Sequence, residues 1–141
     1  MTISDLKELI SKMDPQLSEE TYYIASVDES QLLNLSSFLS YIKDVFREKE
    51  GLSIVFSEKI KDHVSVMTEK KVAGPFALIT MNVNSDLMAV GFLAKMTEAL
   101  AKEGISVNAF SAYHHDHLLV PFDKKEKSLE VLRTLSSAPH K

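Results

Sequence analysis

The chain has 141 residues, no cysteine and a formal net charge of −4, with 45% hydrophobic and 26% charged residues. A globular chain of that size buries roughly 68% of the surface its unfolded form exposes, enough for one core or two small units but not two large domains. The acidic balance leaves no basic stripe for nucleic acid, and the lack of cysteine excludes disulfides and thiolate chemistry and suits a cytoplasmic address.

Met1-Thr2-Ile3-Ser4-Asp5 has no basic stretch leading into an apolar core, and no apolar run is long enough to span a bilayer, so no signal peptide and no membrane partner is expected. Thr2, with Asp5 three positions on, is expected to cap a first helix whose apolar stripe is Leu6, Leu9, Ile10 and Met13. Asp14-Pro15 ends it, because the residue before a proline avoids the helical region. Tyr22 to Val27 reads as a strand, and the Ser- and Leu-rich residues 30–40 are ambiguous between a short helix and a turn. Tyr41–Arg47 and Leu52–Phe56 read as two strands around the charged turn Glu48-Lys49-Glu50-Gly51. A brief helix from Ser57 towards His63 follows, then a strand and connector over Val64–Gly74.

The second half is plainer. Phe76–Val83 is nearly all apolar and reads as a buried strand. Asn84-Ser85-Asp86 offers caps for a helix from about Leu87 to Glu103, striped by Leu93, Met96 and Leu100 and closed by Gly104. Ile105–Tyr113 and His117–Phe122 pair as a hairpin across His114-His115-Asp116. Asp123 and Glu126 suggest a capping box for a last helix carrying Leu129, Leu132 and Leu135, with Pro139 in the tail. A repeated βαββα order implies an α+β fold, with antiparallel sheets carrying helices on one face. No final edge strand follows Leu135, so the second unit is expected to be completed from elsewhere in the chain.

Three segments invite chemistry. Tyr113-His114-His115-Asp116-His117 carries zinc-type ligands, and a metal-dependent enzyme using His114, His115 and His117 is one reading. Alternate residues of a strand share a face, so His115 and His117 converge only without His114, and no fourth ligand is evident. No metal site or cofactor is therefore expected. Ser111, His115 and Asp116 supply the residue types of a hydrolase, but nothing resembles the Gly-x-Ser-x-Gly elbow, and neighbours along one strand do not face each other as a triad does. The third segment is Val83 to Gly91. A helix beginning near Val90 would leave free amides for an anion such as a ligand carboxylate, and Gly91 would admit close approach to the backbone. A helix beginning at Leu87 would make Gly91 only a small residue at a helix–sheet contact. From spacing alone both stay open.

Residues 89–93 (AVGFL), 100–107 (LAKEGISV) and 110–120 (FSAYHHDHLLV) resemble the ACT domain, the βαββαβ regulatory module of amino-acid biosynthesis enzymes. The hairpin is similar to that of aspartate kinase regulatory domains and the cytosolic arginine sensor, and the whole chain resembles a short stand-alone tandem ACT protein. The resemblance implies two ferredoxin-like ACT units: an N-terminal helix plus degenerate unit over 1–72, and a second unit over 73–141. It implies a non-catalytic amino-acid sensor that binds a small molecule without nucleic acid, and a homo-oligomer, by expectation a homodimer. Ala89, Val90 and Gly91 would meet the ligand carboxylate. Asn108, Ser111, Tyr113 and Asp116 would lie on the other side, with Asp116 facing an amine. His114-His115 departs from the family pattern. If binding has been lost, the alternative is a protein-interaction module whose cleft is filled by Tyr113 and His115.

Overall fold

A computed structural model describes residues 2–138, so Pro139 and His140 lie outside the described residues. Its elements run α1 (Leu6–Lys12), β1 (Pro15–Val27), α2 (Leu32–Ser36), β2 (Ile42–Glu48), β3 (Gly51–Ser57), α3 (Lys61–Ser65), β4 (Ala73–Met81), α4 (Phe92–Lys102), β5 (Asn108–Ser111), β6 (Asp116–Pro121) and α5 (Lys125–Ser137). They form two compact units, one of residues 20–76 and one in which residues up to 19 join those from 77 onward.

In the 20–76 unit the strand order is β2-β3-β1-β4, β4 entering with its first residues, Ala73–Phe76. β1 pairs antiparallel with β3 from Tyr22↔Ser57 to Val27↔Leu52, and β2 pairs with β3 down to Glu48↔Gly51. Leu52, Ile54 and Phe56 alternate onto one face and pack with Leu35, Ile60 and Val64 from the short helices. The ambiguous 30–40 stretch resolves into turns around α2, which buries Leu35 alone. No strand forms over residues 64–72; β4 instead starts at Ala73, earlier than the apolar run suggests.

In the other unit the order is β1-β4-β6-β5, with β1 represented by Pro15–Glu19. That segment is the fourth strand missing after Leu135. β1 therefore runs much longer than the Tyr22–Val27 expected from its β-branched and aromatic residues, because its polar first half serves a different unit. Each unit has the strand order of a ferredoxin-like βαββαβ module. Leu9, Ile10 and Met13 of α1, Ile79 and Met81 of β4, Met96 and Leu100 of α4, and Leu129 and Leu132 of α5 form the core.

The expected helix starts need correction. Ile3 is extended and bridges to Ser85, so Thr2 cannot cap α1. Asp5 does, accepting from the Glu8 amide at 2.9 Å. Phe122–Lys124 forms a 3-10 turn that places Asp123 inside it, so α5 starts from Lys124 with no side-chain cap. Gly104 (φ 71°) closes α4 as expected: its amide bonds Ala101 O at 2.9 Å and that of Ile105 bonds Leu100 O at 3.1 Å, the Schellman pattern.

Candidate functional site

The segment from Asn84 to Gly91 decides the site. Asp86 caps a turn here, and not the helix: its Oδ1 accepts from the Met88 amide at 2.8 Å and its carbonyl from Ala89 at 3.0 Å. After that turn Gly91 adopts φ +93°, a left-handed conformation that side-chain-bearing residues rarely take. The helix starts only at Phe92, not at Leu87, and its first i→i+4 bond runs from Lys95 N to Gly91 O at 3.0 Å. Gly91 has no side chain with which to cap it. The amides of Phe92, Leu93 and Ala94 thus have no intrahelical acceptor, and they carry the positive end of an 11-residue helix.

The reason for glycine at 91 differs from close ligand approach. A Cβ there would point at the Leu6 side chain, 3.3 Å away, so the bare face is turned to α1. What demands glycine is the positive φ.

Opposite stands the β5–β6 hairpin, whose last pair is Ser111↔Asp116. β5 is shorter than the expected Ile105–Tyr113, β6 keeps the expected length but starts one residue earlier, at Asp116, and the loop is 112–115, closed by Ala112 N to His115 O at 3.1 Å. Asp116 is only 8% exposed, yet its recorded side-chain partner is one hydroxyl: Ser111 Oγ donates to Oδ1 at 2.9 Å. A carboxylate largely withdrawn from water beside one neutral donor suits a cationic partner.

Asp116, Ser111, Ala89, Gly91, His115, Asp86 and the first turn of α4 line a cleft of about 130 Å³. Of the residues singled out from sequence, Ala89, Gly91, Ser111 and Asp116 meet there; Val90, Asn108 and Tyr113 do not line it. Val90 and Tyr113 stand 84% and 76% exposed, so Tyr113 does not fill the cleft. Asp86, Ser85 and His115 are lining residues that sequence reasoning did not assign to the ligand. Asp86 carried only a helix-capping signal, and no local pattern says that its carboxylate ends up beside a hairpin.

The three histidines each have a different partner. His115 Nδ1 donates to Val83 O at 3.0 Å, a carbonyl that can only accept. His117 Nδ1 bonds Thr80 Oγ1 at 2.8 Å, and the His114 ring lies edge-on to Tyr113 with centroids 4.9 Å apart. Among the described residues no group of three His, Asp or Glu side chains is arranged to hold a metal ion. Nor is a hydrolytic relay assembled. Ser111 donates directly to the carboxylate, and the nitrogen that would be oriented by an acid is bound to a backbone carbonyl.

Two models of the ACT domain match the chain, over residues 1–72 and 75–134. No curated protein matches it. A Vibrio cholerae protein of unknown function, described as a possible transport protein, is 32% identical, with a TM-score of 0.76 over 94% of this chain and 96% of its own. An Agrobacterium tumefaciens protein is 19% identical, with a TM-score of 0.65 over 86% and 87% of the two chains. The ligand-free regulatory subunit of aspartate kinase from Thermus thermophilus is 10% identical, with a TM-score of 0.68 over 86% and 95%. At those last two identities the likeness is one of fold.

Proposed function

The chain belongs to the ACT-domain family of regulatory, ligand-binding modules, and on that footing we propose that it binds a free amino acid in the cleft between α4 and the β5–β6 hairpin, without catalytic activity of its own. The observation that carries this reading is Asp116, a buried carboxylate bonded by the Ser111 hydroxyl, in the same cleft as the uncapped first turn of α4. An α-amino acid has the matching pair of charges. Its carboxylate suits the free amides and helix dipole, and its ammonium suits Asp116. Drug-sized ligands occupy pockets of roughly 300–1,000 Å³; a cleft of about 130 Å³ takes something much smaller.

Ala89, Gly91, Ser111 and Asp116 form the inner contacts in this reading. Val90, Asn108 and Tyr113 belong to a rim that meets ligand only when a second copy closes over it. Leu87, Met88, Val90 and Tyr113 are exposed apolar side chains around the opening, which supports a homodimer assembled on this face. A cytoplasmic address, where free amino acids are signals of supply, fits the cysteine-free composition. Among the described residues no helix is long and apolar enough to cross a membrane.

The test is a thermal-shift screen against the twenty amino acids. A ligand at ~100 times its dissociation constant adds about 2.7 kcal/mol. At least one amino acid should raise the Tm, and the shift should vanish in Asp116→Asn, which keeps the shape and removes the charge. No shift with any of them would refute the reading.

A further inference from the structure

The loop that forms one wall of the cleft is held by its own Asp86 turn and also from outside itself. Asn84 Oδ1 is buried without a hydrogen-bond partner, a desolvated acceptor that the loop alone would relieve by moving. The N-terminal segment is bonded to the loop on both sides of Ser85. Ile3 donates its amide to Asn84 O at 2.8 Å and accepts from the Asp86 amide at 2.9 Å, clamping the loop from both sides of Ser85. Three residues on, the Leu6 side chain packs where a Cβ of Gly91 would be, at 3.3 Å. One short stretch of chain thus grips the cleft loop near its start and at the glycine from which α4 begins. None of Thr2, Ile3 or Leu6 lines the cleft.

We propose that Ile3 and Leu6 are positioning residues for the ligand site. The segment Thr2–Leu6 is a brace that sets the spacing between the α4 amides and Asp116, and is coupled to ligand occupancy. The coupling rests on the ligand reading above; the bracing does not. If a ligand binds only the braced loop, linkage requires that the ligand in turn strengthen the brace, so occupancy is reported at the N-terminal segment. That segment, outside the βαββαβ core, is then where a partner would read the bound state.

Amide hydrogen exchange tests the brace without any ligand. Ile3→Pro removes the donor to Asn84, Leu6→Ala empties the contact at Gly91, and Ile3→Val keeps both the donor and a branched side chain. Ile3→Pro and Leu6→Ala should each speed exchange at Asp86, Met88 and Ala89 by roughly fivefold or more, on the scale of one lost hydrogen bond. Gly104 and Ile105, at the far end of α4, should keep their protection, which separates loop release from general destabilisation. Ile3→Val should change neither. If Ile3→Pro does not fold, Leu6→Ala decides. The amino acid that most stabilises the wild type should bind the two loosened variants roughly fivefold more weakly, and when saturating should slow exchange of the Ile3 amide. Unchanged exchange at Asp86 and Met88 in the folded variants overturns the brace. Unchanged affinity beside faster exchange overturns the coupling. A wild type that binds no amino acid refutes the ligand reading and the coupling drawn from it, while the exchange arm still judges the brace.

Discussion

The two units build the same element order twice but differ at the helix start and the hairpin end that line the cleft. In the unit completed by residues 77–138 the first helix, α4, has 11 residues and opens on an uncapped glycine. In the 20–76 unit the corresponding helix, α2, has 5 residues, and the 3-10 turn before it is already closed by Asp28, whose carboxylate accepts from Ser30 N at 3.0 Å. The hairpins differ in the same sense. β5 and β6 end on Ser111↔Asp116 and leave room in a loop over 112–115, whereas β2 and β3 end on Glu48↔Gly51 across Lys49-Glu50 alone. Where one hairpin offers a buried carboxylate, the other has a glycine whose Cβ would lie 2.5 Å from Val27 O, so no side chain fits there at all. Repeating a fold does not repeat its helix starts and hairpin ends.

The largest effect should come from removing the difference itself. Asp116→Asn should weaken binding of the stabilising amino acid by at least about 30-fold, since breaking one partner of a desolvated charge pair costs about 2–5 kcal/mol. Isothermal titration measures it; an unchanged dissociation constant would place the ligand elsewhere. Next comes Gly51→Ala. Its φ of +143° and the clash with Val27 O combine strain and overpacking, for a stability loss of about 3 kcal/mol by urea denaturation. Gly104→Ala sharpens that contrast. Its φ of 71° is left-handed but nothing lies within 4 Å of the added atom, so the loss should be only about 1 kcal/mol.

The smallest effect concerns Glu20, which sits in the 20–76 unit. Its pKa is lowered, chiefly by the Ser57 hydroxyl, with the Tyr22 hydroxyl and Lys59 adding to it. A depressed carboxylate pKa contributes stability above its unfolded value and loses it as pH falls through the folded one. The contribution is thus full at neutral pH and lost below the ordinary value of 4.5. Its side chain is 37% exposed, so solvent screening keeps this under about 1 kcal/mol. Glu20→Gln should flatten the acid limb of stability against pH by that amount; an unaltered limb would mean that the Ser57 bond contributes nothing.

The sequence makes the strong elements legible and the boundaries poorly so. Leu52, Ile54 and Phe56 alternate because one strand face is buried, and Leu129 and Leu132 recur at helical spacing because α5 buries one stripe; both are local consequences of packing. The first half of β1 is not legible, since Gln16, Ser18 and Glu19 carry no burial signal and their pairing depends on distant residues. The start of α4 stays open in the sequence, between Leu87 and the neighbourhood of Val90, for a related reason. Asp86 has a capping residue's chemistry, and only the φ of Gly91 shows that the helix waits. Within the site, Asp116 and Ser111 are legible only through the resemblance of residues 110–120 to the ACT hairpin. His115 is tied to Val83 through thirty-two positions of intervening chain, which no local pattern encodes.

Binding stoichiometry tests the central claim, that one unit carries a ligand site and the other does not. The amino acid that most raises the Tm would be titrated calorimetrically into wild type, Asp116→Asn and Asp28→Ala. One equivalent per chain in wild type and Asp28→Ala with an unchanged dissociation constant, and none in Asp116→Asn, is the expected result. Two equivalents per chain, or one that survives in Asp116→Asn, would contradict it.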